Sequence, residues 1–242
     1  METVVHGLWI GESLSILEKL CITSFLRNGY TFNLYTFQPM DVPEGCNLCD
    51  AREIITEVFT YQNGSYAAVS NIFRLKVLYK YGGLYTDLDM ICLKPMEINQ
   101  KYIIPQEYTI TGEIPWSGMI YCKEKNDPII GELIRLAESK IDEIKTGKMK
   151  WGLGEFIVTN FVDLVGNKYL MPAKNFVSCD FNSWKNILDP KIPIKRGTKK
   201  LEECHYFIHC WNEMWRKNGI DKNTEVGKEG SIYNQLIKRY LI

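Results

Sequence analysis

The chain has 242 residues, 45% of them hydrophobic and 24% charged, which is enough to bury one full α/β core. Its 29 basic and 29 acidic side chains cancel, so no global field draws it to nucleic acid or to an acidic membrane. No run of eighteen apolar residues exists, which excludes a membrane-spanning helix and leaves a single domain over residues 1–242 as the expectation.

Val4 to Ile10 reads as a first strand, and Gly11-Glu12-Ser13 supplies a turn and a helix cap. Leu14, Ile16, Leu17, Leu20, Cys21, Ser24 and Phe25 carry helical periodicity up to the break at Asn28-Gly29. Phe32, Leu34, Tyr35 and Phe37 then form a second strand, ended near Pro39. This β-α-β opening favours a parallel sheet with a ligand crevice at the strand C-terminal ends. His6-Gly7-Leu8-Trp9-Ile10-Gly11 closes the first strand at such an edge. The chain reaches that strand almost at once, without a basic-then-apolar leader, which argues against an anchored Golgi resident. Of eight cysteines only Cys46 and Cys49 form a C-x-x-C pair, and no second pair follows at zinc-ribbon spacing. Reduced thiols in a cytosol, that of a bacterium or of a virus-infected host, are expected, with peripheral membrane attachment left open.

Residues 40–69 are less regular. From Ser70 to Tyr81 the apolar positions Ile72, Phe73, Leu75, Val77, Leu78 and Tyr81 suit one face of a helix, which Gly82-Gly83 ends by entering a left-handed cap. Leu84, Tyr85, Leu88, Met90, Ile91 and Leu93 read as a short buried strand stopped by Pro95. Asp87 and Asp89 lie inside that apolar run. At strand spacing, residues two apart share a side, so two carboxylates converge, and burying like charges together is costly unless a cation lies between them. Asp87 and Asp89 are therefore the candidate hard-oxygen ligands of a divalent metal, against the bland alternative of a solvated Asp-x-Asp loop.

Tyr102 to Pro105 and Met119 to Cys122 read as strands, and Asn126-Asp127-Pro128 caps a helix from Ile129 to about Ile144. From Met171-Pro172 to Pro193 the chain is expected to be irregular, anchored by Phe176, Phe181 and Trp184. Alternation around Tyr206, Phe207 and Ile208 suggests a strand, which weakens a zinc reading of Cys204-His205 with His209-Cys210. His209 is suited either to complete the metal shell begun by the aspartates or to sit in the core as a satisfied imidazole. Gly230-Ser231-Ile232-Tyr233 opens a terminal helix rich in Lys and Arg.

Ser70-Asn71-Ile72-Phe73-Arg74, followed by Leu78-Tyr79-Lys80-Tyr81-Gly82-Gly83-Leu84-Tyr85-Thr86-Asp87-Leu88-Asp89, resembles the signature of glycosyltransferase family 32. The resemblance implies an α/β GT-A fold, Rossmann-like, with a mostly parallel central sheet flanked by helices. It also implies a nucleotide-sugar donor (a UDP- or GDP-sugar), a Mn2+ or Mg2+ ion on the Asp-x-Asp motif, and retention of anomeric configuration. Trp9 then stacks on the donor's nucleobase, a contact of roughly 1–3 kcal/mol; its alternative is a core aromatic. Arg74 hydrogen-bonds donor sugar and phosphate oxygens through its rigid fork of donors. Asn71 stands where the family usually has Asp to read sugar hydroxyls, so it keeps one acceptor oxygen but loses the charge. Trp151-Gly152-Leu153-Gly154-Glu155-Phe156 resembles the family's Trp-Gly-x-Thr-Gly-Pro turn opening a helix, with Leu153 and Glu155 as departures, and places Glu155 near a first turn that an acidic side chain suits on dipole grounds alone. His209-Cys210-Trp211-Asn212 resembles its His-x-Trp-Asn segment.

The expectation is a metal-dependent retaining glycosyltransferase acting on a glycan or glycoconjugate hydroxyl. Its catalytic residues are Asp87, Asp89 and Arg74; its donor contacts are Trp9, Asn71, Arg74, Tyr85, Asp87 and Trp211; its metal ligands are Asp89, Asp87 and His209. The rivals are a catalytically silent nucleotide-sugar or glycan-binding module, and a phosphohydrolase with an Asp nucleophile, whose motif would normally close an early strand.

Overall fold

The computed structural model describes residues 3–192, 197–198 and 200–242. Strands β1 (Val4–Trp9), β2 (Thr31–Thr36), β3 (Asn47–Asp50) and β4 (Gly83–Thr86) run parallel in the spatial order β3-β2-β1-β4. The sheet continues through β8 (Met119–Cys122), antiparallel to β4, to β6 (Tyr102–Tyr108) and β7 (Glu113–Pro115), with the short β9 (Leu170–Met171) parallel to β6. Because β8 alone reverses the run from β1 through β6, the C-terminal ends of β1, β4 and β6 point one way, toward a common crevice. A separate two-stranded ribbon pairs β5 (Met90–Cys92) with β10 (Phe207–His209), as the alternation around Tyr206 to Ile208 predicts.

Helices cover both faces. On one side α1 (Ile16–Arg27) and α7 (Ile232–Tyr240) pack with the ribbon and the 173–188 segment around Phe25, Phe32, Phe176 and Phe207. On the other, α2 (Ala67–Tyr81), α3 (Pro128–Glu138), α4 (Ile141–Lys145) and α5 (Leu153–Val165) bury Phe73, Leu78, Leu133 and Phe161. The short helix α6 (Asn212–Lys217) follows β10. No helix among the described residues is long and apolar enough to cross a membrane. All eight cysteines are free thiols.

Three local expectations change. The cap of α1 is Ser15, not the Gly11–Ser13 turn: Ser15 and Glu18 form a capping box, the Glu18 carboxylate accepting from the Ser15 backbone N–H at 2.8 Å. The helix expected over 129–144 breaks into α3 and α4, with the Ser139 hydroxyl turned back onto the Leu136 carbonyl at 2.7 Å. The strand expected through Leu84 to Leu93 stops at Thr86, and Asp87, Leu88 and Asp89 make a turn that carries the chain from the main sheet into the ribbon. That turn is pinned from both sides: Asp87 N–H donates to the Gly118 carbonyl at 2.7 Å, and Cys210 N–H to the Asp89 carbonyl at 2.8 Å. Pro193, the expected end of the irregular segment, lies outside the described residues, and Trp184 is buried as predicted while Phe181 is half exposed.

The Gly82-Gly83 pair ends α2 as predicted. Gly82 sits at φ 69° and Gly83 at φ 90°, and a Cβ on Gly83 would come within 2.6 Å of the Val4 carbonyl oxygen. The two glycines let β4 start at once beside β1, so the β4 turn opens at the sheet edge.

Candidate active site

A cavity of about 1010 Å³ opens where the strand ends, the α2 and α5 faces and the start of α6 converge. Trp9, Asn71, Arg74, Asp87, Asp89, His209 and Trp211 all line it. Residues from β1, α2, the turn after β4, β10 and the cap of α6 therefore meet at one cavity. Tyr85 does not line it. It is buried behind the wall, where its hydroxyl pairs with Ser70 at 2.9 Å and donates to Asp87 Oδ1 at 3.3 Å.

Arg74 is 3% exposed and its guanidinium lies over the Tyr85 ring at 4.9 Å. It donates to Asp87 Oδ1 at 3.0 Å and to the Ser117 carbonyl. Burial pushes the Asp87 carboxyl up; the facing guanidinium opposes this, and the neighbouring Asp89 charge adds to it. A buried cation against a carboxylate with a third of its side chain exposed to the cavity is a preformed, incompletely satisfied acceptor.

Asp89 is held differently. Its Oδ2 accepts the Asn212 backbone N–H at 2.8 Å and lies 3.2 Å from His209 Nε2. Burial alone would raise its pKa, but His209, the Asn212 N–H and Lys222 bring it below the ordinary carboxylate range. Burial would likewise depress the His209 pKa, yet Asp89, Glu107 and Asp87 together raise it. The chain delivers that Asn212 N–H by placing Trp211 in the left-handed region, at φ 57° and ψ 45°. For a bulky residue this is strained, by about 1–3 kcal/mol. The surroundings hold it: the Trp211 indole donates to the Cys179 carbonyl at 3.2 Å and its ring lies 4.1 Å from that of His209.

Among the described residues no group of three or more His, Cys, Asp or Glu is arranged to cage an ion. The donor set fits a metal in another way. Small divalent cations are commonly held by one or two carboxylates with substrate phosphates completing the shell, and Asp87 and Asp89 offer that on one turn. His209 fits as a further ligand by its imidazole: Nδ1 is buried with no hydrogen-bond partner among the described residues, and Nε2 is engaged with Asp89.

Trp9 is half-buried at the end of β1, its indole N–H donating to the Ser13 carbonyl at 3.0 Å. Lys222, which the sequence left unmarked, sits 4.4 Å from that ring and pairs with the buried Glu18 of the capping box. Asn71 is buried on α2 with its Oδ1 accepting from the Ser117 hydroxyl at 3.4 Å. Glu107, near the end of β6, also lines the cavity and was likewise unmarked; burial and then the Glu155 charge raise its pKa, while His209 opposes the rise. A carboxylate in the plain run Pro105-Gln106-Glu107 carries no sequence signal, because only the sheet order brings it here.

Residues 31–110 match the model of the glycosyltransferase sugar-binding region containing DXD motif. No curated protein matches the chain. Among solved structures, the PaToxG glycosyltransferase superposes with a TM-score of 0.51 at 21% identity, covering 68% of this chain and 70% of that one. The apo-form glycosyltransferase GlyE of Streptococcus pneumoniae TIGR4 gives a TM-score of 0.48 at 15% identity, covering 99% of this chain and 64% of that one. The likeness to PaToxG is one of fold, and the mixed sheet flanked by helices is the GT-A arrangement that the motif resemblance implies.

Proposed function

From the DXD-containing sugar-binding region that residues 31–110 carry, we propose that this protein is a metal-dependent, retaining glycosyltransferase. It moves a sugar from a UDP- or GDP-linked donor to a hydroxyl of a glycan or glycoconjugate. The observation that carries the reading is the pair Asp87 and Asp89 on one pinned turn at the cavity wall, with Arg74 buried against Asp87.

Asp87 and Asp89, with His209, would hold the manganese or magnesium ion, which when bound supplies Lewis-acid neutralisation of the donor diphosphate. The chain's own groups do the rest. Arg74 presents a desolvated positive charge to the sugar-phosphate oxygens, and its Asp87 contact fixes the guanidinium before substrate arrives. Trp9 offers an aromatic face to the base. Asn71 and Trp211 shape the sugar pocket between α2 and α6. With no carboxylate assigned as nucleophile, the acceptor hydroxyl attacks on the face the phosphate leaves, and the departing phosphate takes its proton.

The test is incubation with a panel of UDP- and GDP-sugars plus manganese, with product anomers read by NMR. Transfer or slow donor hydrolysis with retained configuration is expected. Asp87→Ala and Asp89→Ala should each cut turnover by roughly 10²-fold or more, the scale of losing one electrostatic contact to a transition state, with circular dichroism unchanged. Activity that survives exhaustive chelation would remove the metal from the reading. Nucleotide-sugar binding without any turnover would favour the silent binding module.

A further inference from the structure

Beside the residues assigned to the donor and metal, the cavity is lined by a second set of side chains. Trp151 is 51% exposed and Tyr66 44% exposed, yet both line the cavity, as does the half-exposed Phe181. Large aromatic surface left open at the rim of a deep cavity marks a ligand contact more often than a random surface residue.

Trp151 is braced rather than loose. Its ring lies 5.1 Å from that of the buried Tyr61, whose hydroxyl accepts the Leu153 N–H at 3.1 Å, and Lys217 approaches its face at 5.9 Å. A Cβ on Gly154 would lie 2.4 Å from the Ser117 hydroxyl and 3.1 Å from Asn71 Oδ1. The absence of a side chain at Gly154 therefore lets the first turn of α5, which follows Trp151, pack against Asn71 and Ser117. Two carboxylates, Glu155 on the same turn and Glu107 on β6, line the cavity and lie close enough to interact electrostatically.

We propose that the mouth formed by Trp151, Tyr66, Glu107 and Glu155 is the acceptor subsite, and that its occupant is a neutral saccharide. This deepens, and rests on, the glycosyltransferase reading. Aromatic faces carry negative quadrupole density and pack against the C–H face of a pyranose. Carboxylates accept two hydroxyl hydrogen bonds each, and such O–H···O⁻ bonds are about twice as strong as neutral ones. The same two charges repel a phosphorylated or uronic-acid acceptor, so the pattern selects against anionic acceptors.

Saccharide binding is read first by ligand-observed NMR, which needs no turnover. The probes are lactose, maltose, cellobiose and mannobiose, with glucuronic acid and a Ser/Thr/Tyr-containing peptide as the contrasting arms. Binding of at least one neutral disaccharide is expected, weakened about tenfold in Trp151→Ala and largely kept in Trp151→Phe. Glu155→Gln should weaken the neutral sugars and lessen the discrimination against glucuronic acid. Where a donor turns over, Trp151→Ala should raise the disaccharide KM by a similar factor, while the donor KM shifts less than about twofold. Equal disaccharide binding by wild type and Trp151→Ala would overturn the proposal. So would binding or transfer confined to the peptide or to the acidic sugar. A chain that binds disaccharide through Trp151 but never turns over a donor would instead bring down the transferase reading and leave the saccharide subsite in place.

Discussion

Asn71 is the residue at which this chain departs from the pattern its motif resembles, and the structure gives the departure a local meaning. The amide is buried on α2, three residues before Arg74, and its oxygen already accepts from the Ser117 hydroxyl. An aspartate there keeps that acceptor and adds a charge on the helix face shared with a guanidinium, so Asn71→Asp should fold with a loss of about 1 kcal/mol or less. A carboxylate also grips sugar hydroxyls more strongly than an amide and cannot donate to a sugar oxygen. The variant is therefore expected to reorder kcat/KM among epimeric donors while nucleotide affinity holds. An identical ranking with only a uniform rate change would take Asn71 out of the sugar pocket. Trp9 offers a companion measurement. Its ring is half-buried and shares contact with Lys222, so Trp9→Ala should raise the donor KM by roughly 10-fold or more, the scale of one base stack. If the substitution melts the protein and spares donor affinity, the core reading of this tryptophan is the correct one.

At the scale of elements, the packing of α5 against Ser117 and Asn71 predicts a change of sign. Alanine is the better helix former, by up to about 1 kcal/mol over glycine, so Gly154→Ala in isolation would favour α5. In the folded protein the new methyl meets the Ser117 hydroxyl first, and then Asn71. Gly154→Ala should therefore destabilise by about 1–3 kcal/mol, the usual range for overpacking. In a Ser117→Ala background the obstruction shrinks and the same substitution should become close to neutral. A double-mutant cycle by urea denaturation measures this, and additive effects would show that α5 does not bear on Ser117. Close packing of this kind is invisible in sequence, where Gly154 is only one glycine of a turn. What was legible is what rests on local rules. The β-α-β opening, the Asn28-Gly29 break, the Gly82-Gly83 cap and the periodicity of α2 follow from spacing and backbone sterics. The Asp87–Asp89 turn reads as strand because β5 and all of β4 after Gly83 are buried, so one apolar run covers two strands of different sheets. The capping box was readable in Ser15 and Glu18 and was displaced by a nearer turn signal. Glu107 and Lys222 needed the sheet order and the return of the C-terminal segment.

For the molecule as a whole, the acid limb of stability is expected to have an identifiable source away from the cavity. His6 lies at the centre of the sheet, on β1 between β2 and β4, and is 1% exposed. Its Nε2 meets the Gly82 carbonyl at 3.2 Å, its Nδ1 lies 3.4 Å from the Tyr35 hydroxyl, and its ring stacks 5.9 Å from Tyr81. No carboxylate is paired with it in this set of contacts, so nothing repays the desolvation of an imidazolium. Burial lowers its pKa from 6.5 to about 4, against a smaller upward pull from the Gly82 carbonyl. In the unfolded chain the same histidine takes up its proton near its ordinary value. Between those two values the unfolded state binds more protons than the native one, so stability rises with pH across this window and falls as pH drops through it. Below about pH 4 both states are protonated and the contribution is constant; above about pH 7 both are neutral. The difference corresponds to about 3 kcal/mol over the whole window, a large share of a typical domain's stability. His6→Gln keeps an amide able to donate to Gly82 and removes the titration. The gap in unfolding free energy between wild type and variant, measured by urea at intervals from pH 7 to pH 4, should move steadily in the variant's favour as pH falls. A gap that stays flat across that range would assign the acid sensitivity to other groups and would mean that His6 accepts its proton without opening the sheet.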